Sequence, residues 1–402
     1  MSPHQTIELV EFETRYFQRS NLPEEEAQRI YIQYGDKVNV EWPTLKTQYK
    51  WRLTSLGWVG YIPLANYGGI SLKPKVTLRN LFGMLEYAYD LKSFKLLEGH
   101  YESNSIRDFY ERLATVLAER VLKRIRQGLY RTYIEEHTSL SFVRGKLDLG
   151  VLCSSPVRSR VVCYSEDHTL DIEDNQILAW TLHNIVRSGL LTREKPLNVA
   201  RKADRILRNS ISLKCFTGIG CANRTYNRLN ADYEILHKLC RFFLDNTGPT
   251  QDTGGHSMIP FLVDMAHLFE LFVSRWLEEK IDSRYLVQRQ ESLYIGKQST
   301  LRMQMDILIS DRQSQKPLCV LDTKYKRDNS VSPSDYYQVV AYADAVSCQQ
   351  AALIYPSESL VPFDAKPGGI RVRTIVFDLG TDLDDAGKKF IQTLYSILEN
   401  AA

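Results

Sequence analysis

Two apolar segments of alternating pattern, separated by a short polar segment, occupy residues 301–326. LRMQMDILIS and LCVLDTKYK are rich in Val, Ile and Leu, and this pattern predicts two β-strands. The intervening DRQSQKP is polar and contains a proline, which predicts a turn. The two strands are therefore expected to pair as an antiparallel hairpin.

The symmetry of this hairpin predicts which residues face each other. Positions 306 and 322 lie at equal distances from Ser314, the middle residue of the predicted turn, so Asp306 is expected opposite Asp322. Lys324 follows Asp322 by two residues, and side chains two residues apart share one face of a strand. The two aspartates and the lysine are therefore expected on one face, at one end of the hairpin.

Two acidic side chains in this position require a compensating positive charge. Carboxylates about 5 Å apart across a strand pair repel each other unless a cation lies between them. Lys324 supplies one such charge, and the hard oxygen ligands of Asp306 and Asp322 favour Mg²⁺ or Mn²⁺ as a second. The alternative is an ordinary ion pair on a surface hairpin, which a D-x-K sequence by itself does not exclude.

Two predicted helices that flank the hairpin in sequence carry further candidate residues. SDYYQVVAYADA follows the hairpin and sets Gln338 and Tyr342 four residues apart, on one helix face. MAHLFELFVSRWLEEKI precedes it and is amphipathic, with Glu270 in its apolar half. Because a carboxylate beside an apolar stripe needs a partner, Glu270 is either a site residue or a residue at the edge of that stripe.

The composition is that of a globular protein without membrane segments. The chain has 402 residues, of which 44% are hydrophobic and 25% charged, enough for two or three domains with full cores. Its net charge of +3 does not discriminate between partners. We expect no membrane span and no signal peptide. Seven scattered cysteines without a C-x-x-C pair favour reduced thiols and a cytoplasmic location.

The distribution of strand and helix patterns predicts an α+β protein in three parts. Residues 1–77 are β-rich, and residues 78–250 are mostly helical. Residues 251–402 combine helices and strands in an order that suits an α/β core with a mixed sheet. The segment DNTGPTQDTGG, rich in Gly, Thr and Asp, marks the second boundary.

Candidate phosphate-binding groups are few. In LSFVRGKLDL, Arg144 and Lys146 flank Gly145, and two cations beside a glycine are a weak candidate for contact with DNA phosphates. A strand with a bulge accounts for the same pattern equally well. No G-x-x-x-x-G-K-[ST] motif occurs, so the chain has no recognisable NTPase site of its own.

Several segments of the chain, taken in order, resemble known protein families. The spacing of Asp306, Asp322 and Lys324 resembles the PD-(D/E)xK nuclease superfamily, and the Gln338–Tyr342 spacing resembles its RecB-like branch. ISLKPKVTLRNLFGMLEYAYDL, FVRGKLDL, HLFELFV and MDILIS…VLDTKYK, in this order, resemble the McrC family, the nuclease subunits of McrBC modification-dependent restriction systems. The resemblance covers most of the chain and is weakest in the first 40 residues.

This resemblance implies a metal-dependent DNA endonuclease with a restriction-endonuclease-like PD-(D/E)xK core in residues 251–402. The residues implied to hold Mg²⁺ or Mn²⁺ are Asp306, Asp322, the Thr323 carbonyl and Glu270. The residues implied to act in catalysis are Asp306, Asp322, Lys324, Glu270, Gln338 and Tyr342. No departure from the family pattern is found at the two aspartates or the lysine.

The resemblance also implies partners. A separate McrB-like AAA+ GTPase subunit would recognise modified DNA and translocate, and residues 1–77 would engage and stimulate it. Double-strand cleavage would need two copies meeting on DNA. Two alternatives stay open: a regulatory adaptor of an AAA+ NTPase with a vestigial nuclease fold, and a stand-alone RecB-like repair nuclease.

Overall fold

A computed structural model describes most of the chain. The described residues are 6–64, 68–91, 105–154, 160–222, 224–248, 251–253, 256–258, 260–295, 301–326, 330–357 and 361–399. Within them the chain is a mixed α+β protein, as the sequence predicts.

Ten α-helices and eighteen strands lie in the described part of the chain. The helices are α1 (Glu24–Tyr34), α2 (Leu78–Ala88), α3 (Ile106–Gln127), α4 (Leu149–Ser154), α5 (Glu173–Arg187), α6 (Glu194–Arg208), α7 (Tyr233–Asp245), α8 (Met265–Lys280), α9 (Pro333–Ala345) and α10 (Leu383–Glu399). The strands of the first half are β1 (Thr6–Val10), β2 (Thr14–Phe17), β3 (Val38–Glu41), β4 (Trp51–Ser55), β5 (Trp58–Leu64), β6 (Gly68–Lys73), β7 (Thr132–Leu140), β8 (Lys146–Leu147) and β9 (Val161–Thr169). Those of the second half are β10 (Gln251–Thr253), β11 (His256–Met258), β12 (Phe261–Asp264), β13 (Tyr285–Ile295), β14 (Leu301–Asp311), β15 (Pro317–Thr323), β16 (Gln350–Tyr355), β17 (Asp364–Ala365) and β18 (Arg371–Val376).

The chain forms two compact units. Unit 1 combines Met1–Ile106 with Pro260–Ala402, and unit 2 is the intervening Arg107–Ile259. The N-terminal and C-terminal segments therefore contribute to one unit. That the segments 1–77, 78–250 and 251–402 behave as separate folding units stays a prediction.

The N-terminal half of unit 1 is built on two small sheets. One has the strand order β1-β6-β5-β12, and the other has the order β2-β4-β3. Their buried residues, with α1, form one apolar core that includes Leu9, Leu53 and Leu72. Strand β12 joins this sheet from beyond residue 260 by antiparallel pairing with β5, a long-range pairing that local patterns do not reveal.

The C-terminal half of unit 1 is a six-stranded mixed sheet with the order β13-β14-β15-β16-β18-β17. Strands β13, β14 and β15 are antiparallel neighbours, whereas β15, β16 and β18 run parallel. Helix α9 packs through Val339 and Ala343 on a cluster that includes Val320 and Leu353. Helices α8 and α10 also contact β15. Strand β15 is buried from Leu318 to Asp322, as expected of a strand covered on both faces.

The predicted hairpin forms with the predicted register over its middle part. Ile307 pairs with Leu321 and Ile309 with Cys319, so the symmetry centre is position 314. A bulge then shifts the register at Ser310, and Pro317 begins β15 rather than ending the turn. Proline is tolerated at the first residue of a strand because no ladder hydrogen bond is required there.

Unit 2 is helical with one exposed sheet. Phe109 of α3 and Phe242 of α7 pack edge to face with ring centroids 6.1 Å apart. The sheet has the order β7-β9-β8. Gly145 precedes β8 with φ +74°, and a Cβ there would lie 2.2 Å from the Tyr164 carbonyl oxygen, so only glycine fits.

Two further sequence expectations concern membranes and disulfides. Among the described residues, no helix is both long enough and apolar enough to cross a bilayer. All seven cysteines lie in the described part of the chain, and none forms a disulfide.

A buried carboxylate joins the two halves of unit 1. Glu11 follows β1 and is only 1% exposed. Its Oε2 accepts hydrogen bonds from the Lys75 backbone N–H (2.7 Å) and from the Tyr325 hydroxyl (3.1 Å). Burial raises the pKa of Glu11 to about 7, although these hydrogen bonds and the Lys75 charge act in the opposite direction.

Substitution of Glu11 by glutamine should change the pH dependence of stability. Below about pH 4.5 the Glu11 carboxyl is protonated in both the folded and the unfolded protein. Between about pH 4.5 and about pH 7 it ionises only in the unfolded protein, so the free energy of unfolding falls as the pH rises. The fall is up to about 3 kcal/mol, and Glu11→Gln should abolish it. Urea unfolding of both proteins at pH 5 and pH 8 measures this difference.

The control is Glu24→Gln, the same substitution at an exposed residue in the first turn of α1. If wild-type and Glu11→Gln proteins lose equal stability between pH 5 and pH 8, the raised pKa is wrong.

Candidate active site

Neighbouring positions on β14 and β15 bring two aspartates together: Asp306 lies in the middle of β14, and Asp322 lies one residue before the end of β15. Asp306 and Asp322 occupy equivalent positions one residue beyond the Ile307–Leu321 pair, and Asp322 is 1% exposed. The Thr323 backbone N–H and hydroxyl both donate to Asp306 Oδ2, at 2.8 and 2.7 Å. These two bonds fix the orientation of the Asp306 carboxylate.

Lys324 follows β15 and lies among acidic and amide groups. Its Nζ is 2.6 Å from Asp322 Oδ2 and 3.8 Å from Asp335 Oδ1. It also donates a 2.9 Å hydrogen bond to Gln338 Oε1. The lysine side chain is 12% exposed, so it is held by contacts on several sides rather than extended into solvent.

Helix α9 supplies the amide group in a fixed position. Ser332 caps the helix, and Asp335 at the third helical position completes a capping box with it. One turn later Gln338 Nε2 donates to the Tyr342 hydroxyl at 2.8 Å. Because Gln338 also accepts from Lys324, a continuous hydrogen-bond chain runs from Lys324 to Tyr342.

Helix α8 brings Glu270 to the same region. Gln290 Nε2 donates to Glu270 Oε1 at 3.1 Å, and His267 Nδ1 is 3.5 Å from Glu270 Oε2. Gln290 occupies the β13 position between the Arg289–Ile307 and Glu291–Met305 pairs, which is the position beside Asp306. Its backbone has φ +49°, a left-handed conformation that is costly for a residue other than glycine.

The charges of this cluster perturb one another. Burial, and then the Asp306 charge, raise the pKa of Asp322 to about 7. Burial, and then the Glu270 charge, raise the pKa of Asp306. Burial opposes the charged form of Lys324, but Asp322 and the neighbouring acids outweigh it and raise the pKa of Lys324. Burial also opposes ionisation of Glu270, yet the hydrogen bonds from His267 and Gln290 lower its pKa.

This donor set fits a hard divalent cation that keeps part of its water shell. The excess of carboxylates over ammonium groups, and the burial and neighbouring carboxylate charges that raise the pKa values of Asp306 and Asp322, favour added positive charge. In the part of the chain that the structure describes, no group of three or more His, Cys, Asp or Glu side chains is placed to hold a metal ion by itself. Mg²⁺ is commonly bound by one or two carboxylates and several waters, which matches two aspartates better than a closed cage would.

The structure brings most of the predicted site residues together. Thr323 bonds to Asp306, and the Glu270 charge acts on Asp306. Lys324, Gln338 and Tyr342 form the chain described above. The role predicted for the Thr323 carbonyl stays a prediction; the observed contacts of Thr323 come from its N–H and hydroxyl groups.

Arg144 and Lys146 belong to unit 2 rather than to this cluster. Arg144 Nη2 forms an ion pair with Asp167 at 3.0 Å. Lys146 begins β8, which pairs with β9, so a strand forms here, whereas the bulge stays a prediction. Their contact with DNA stays a prediction.

Three residues of the cluster escaped the sequence prediction. Asp335 was hidden in the pattern S-P-S-D, a capping box that also reaches Lys324. Gln290 could have been found from a second hairpin symmetrical about position 298, which sets residue 290 opposite 306. His267 lies three residues before Glu270, on the same helix face.

A cavity of about 360 Å³ opens at the carboxyl ends of the three parallel strands. Its wall comes from segments after β15, β16 and β18 and from two N-terminal segments. The residues that line it are Phe12, Lys75, Val76, Thr77, Tyr325, Lys326, Pro356, Ser357, Asp378, Leu379 and Gly380. The carboxyl edge of a parallel sheet is where open α/β folds bind ligands.

One protein family matches most of the chain. The model of the family described as McrBC 5-methylcytosine restriction system component matches residues 53–356, which is more than half of the chain. No curated protein matches the chain.

Two solved structures resemble the chain. One is a chain of a half-complex from the tetradecameric assembly of Thermococcus gammatolerans McrB AAA+ hexamers with bound McrC, with 16% identity, a TM-score of 0.56, and coverage of 98% of this chain and 100% of that chain. At this identity the likeness concerns the fold. The other is a chain of the Thermococcus gammatolerans McrBC complex, with 17% identity, a TM-score of 0.41, and coverage of 69% and 89%.

Neutralising Asp306 should stabilise the folded protein. Asp306→Asn removes the charge of a half-buried carboxylate that lies near two other carboxylates, while its amide oxygen can still accept the Thr323 hydrogen bonds. We expect the free energy of unfolding to rise by about 1 kcal/mol at pH 8 in EDTA, measured by urea denaturation.

Asp364→Asn is the matched control, since it removes an exposed aspartate paired with Arg371 and should change stability little. An Asp306→Asn protein less stable than the wild type would contradict the repulsion described here.

Proposed function

Because the chain belongs to the McrBC family of 5-methylcytosine restriction system components, as its sequence resemblance predicts, we propose that it is the metal-dependent DNA endonuclease subunit of such a system. The proposal places the PD-(D/E)xK core in the six-stranded sheet of unit 1. It places the protein in the cytoplasm, where it would act on foreign DNA together with an AAA+ GTPase partner.

The observation that carries this proposal is the set of contacts around Lys324. A lysine 2.6 Å from a buried aspartate, with a second aspartate across the hairpin, is an arrangement that suits metal-assisted phosphodiester hydrolysis. The glutamine–tyrosine chain from α9 fixes this lysine further. Such a constellation costs stability, because two acids are kept desolvated, and it is more easily explained by chemistry than by folding.

Each side chain has a role that follows from its contacts. The Lys324 ammonium would stabilise the negative charge that develops on the scissile phosphate, and the Gln338–Tyr342 chain would hold it in place. Thr323 would keep the Asp306 carboxylate oriented. A divalent ion held by Asp306 and Asp322, with Glu270 and the Thr323 carbonyl as further ligands, would lower the pKa of a water and neutralise phosphate charge.

The cavity at the carboxyl edge supports contact with the substrate strand. Lys75 and Lys326 line it beside the aromatic rings of Phe12 and Tyr325. Ammonium groups attract phosphates and aromatic rings accept stacked bases. We therefore propose that nucleotides flanking the scissile phosphate enter this cavity.

A separate motor protein completes the proposed system. The sequence holds no phosphate-binding loop motif, and the structure of similar fold contains McrB AAA+ hexamers with bound McrC. We propose an equivalent AAA+ partner for this chain. The engagement of that partner by residues 1–77, and self-association on DNA for double-strand cleavage, belong to the same proposal.

Unit 2 offers a second surface for such a partner. Strand β7 has no buried residue, and Phe142 and Val143, in the segment between β7 and β8, are 62% and 58% exposed. A small sheet with exposed aromatic and aliphatic side chains gains stability when another protein covers it.

The alternative functions are less well supported. A regulatory adaptor with a vestigial nuclease fold would have no need to retain two desolvated aspartates and their lysine. A stand-alone repair nuclease would cut DNA without partner or nucleotide, and the cleavage assay below, repeated without the AAA+ partner and GTP, detects such cutting.

Removal of either charge at the core of the site should abolish cleavage. Asp322→Asn and Lys324→Met should each reduce the rate by at least about 10²-fold, while partner binding persists. The assay follows cutting of 5-methylcytosine DNA with the AAA+ partner, GTP and Mg²⁺, and EDTA should stop it.

Asp385→Asn and Lys388→Met are matched controls, because they disrupt an exposed ion pair of α10 by the same substitutions. Wild-type cleavage by Asp322→Asn protein would remove the nuclease assignment.

The exposed surface of unit 2 gives a prediction about assembly. The double substitution Phe142→Ser and Val143→Ser should weaken binding of the AAA+ partner by about tenfold or more without lowering Tm. Analytical ultracentrifugation of the mixed proteins measures this affinity. Val361→Ser, at a 71% exposed position of unit 1, is the control, and equal affinities of both variants would exclude this surface.

A further inference from the structure

We propose that Glu11 and Tyr325 are positioning residues for Lys324, and that the N-terminal sheet thereby takes part in forming the active site. The pair is defined by the hydrogen bond from the Tyr325 hydroxyl to Glu11 Oε2, at 3.1 Å. The kinetic part of this inference depends on the proposed nuclease function, whereas its structural part does not.

Lys324 needs external support because it lies beyond the end of its strand. Strand β15 ends at Thr323, and the Lys324 N–H still donates to the Ile354 carbonyl at 2.8 Å. The next residue, Tyr325, no longer belongs to the sheet. Its anchoring therefore determines the backbone direction from which the Lys324 side chain starts.

Tyr325 is anchored by a rigid part of the N-terminal half. Glu11 N–H donates to the Lys73 carbonyl at 3.0 Å, and Lys75 N–H donates to Glu11 Oε2 at 2.7 Å. The Glu11 carboxylate is thus fixed between the ends of β1 and β6. The Tyr325 hydroxyl binds the same oxygen, so the phenol end cannot move without breaking this network.

The rings of two phenylalanines contact the ring of Tyr325. The Phe12 centroid lies 6.4 Å away, and that of Phe269 lies 5.9 Å away. Phe269 directly precedes Glu270, so Tyr325 contacts the chain neighbour of Glu270 and is itself the chain neighbour of Lys324. Phe12 has φ +58°, which costs about 1–2 kcal/mol for a residue with a side chain, and this conformation is kept despite its cost.

The Glu11 carboxylate is itself unfavourable for folding. Its second oxygen, Oε1, is buried, and none of the residues that the structure describes forms a hydrogen bond with it. An apolar side chain would avoid the desolvation of this group. Glu11 therefore does not serve stability. Its hydrogen bond with Tyr325, the residue after Lys324, is better explained by a role in placing Lys324.

Tyr325→Phe is a conservative test of the inference, because it removes only the hydroxyl and keeps the ring that contacts Phe12 and Phe269. We expect single-turnover cleavage by the assembled complex to fall about tenfold, since small displacements of a catalytic group lower the rate steeply, with KM little changed. Acetylation of Lys324 by acetic anhydride in metal-free buffer, measured by mass spectrometry relative to Lys388, should become faster.

Two further variants and a control complete the experiment. Glu11→Gln keeps an oxygen that can accept both hydrogen bonds and should retain wild-type cleavage and Lys324 acetylation, whereas Glu11→Leu should match Tyr325→Phe. Tyr395→Phe removes the hydroxyl that accepts a hydrogen bond from the Asp282 N–H at 2.9 Å and should change neither readout.

The outcomes separate this inference from the proposed function. If Tyr325→Phe lowers Tm but leaves both cleavage and Lys324 acetylation at the Tyr395→Phe level, the pair is merely structural and the inference is overturned. If the wild-type complex cuts no DNA, the proposed function fails, and the Lys324 acetylation rates still decide the inference.

Discussion

The contact between Asp322 and Lys324 is the interaction on which the rest of unit 1 depends. A carboxylate that is 1% exposed would be expelled or neutralised without a cation. The surrounding elements all serve to keep that cation in place. Strand β15 carries Asp322 and leads directly into Lys324, α9 brings Gln338 and Asp335, and the parallel neighbour β16 binds the Lys324 backbone after the strand ends.

The same contact explains why so many chain segments meet at one place. An ammonium group restrained by a single partner would sample many rotamers, since a lysine side chain carries about 2 kcal/mol of rotamer entropy. Restraint by a helix, a neighbouring strand and the residue after it removes that freedom before any substrate arrives. Preorganised charge of this kind is the largest contribution that a protein usually makes to catalysis.

The sequence predicted the site where its geometry is local, and failed where it is not. The hairpin register follows from symmetry about Ser314, and the Gln338–Tyr342 contact follows from helix spacing. The capping role of Asp335 is equally local, but Asp335 lies outside the D-x-K motif and the Gln338–Tyr342 pair. The pairing of β12 with β5 and the contact of Glu11 with Tyr325 join residues roughly 200 and 314 positions apart, and no periodicity in a single sequence encodes such distances.

The insertion of unit 2 between the two parts of unit 1 has a consequence for biosynthesis. Strand β5 is complete at Leu64, but its edge partner β12 begins only at Phe261. Ribosomes add about 5–20 residues each second, so the N-terminal sheet waits on the order of ten seconds or more with one edge unfilled. During that interval the nascent polypeptide is open to chaperones, and the cluster around Asp322 and Lys324 forms only after the late segments have emerged.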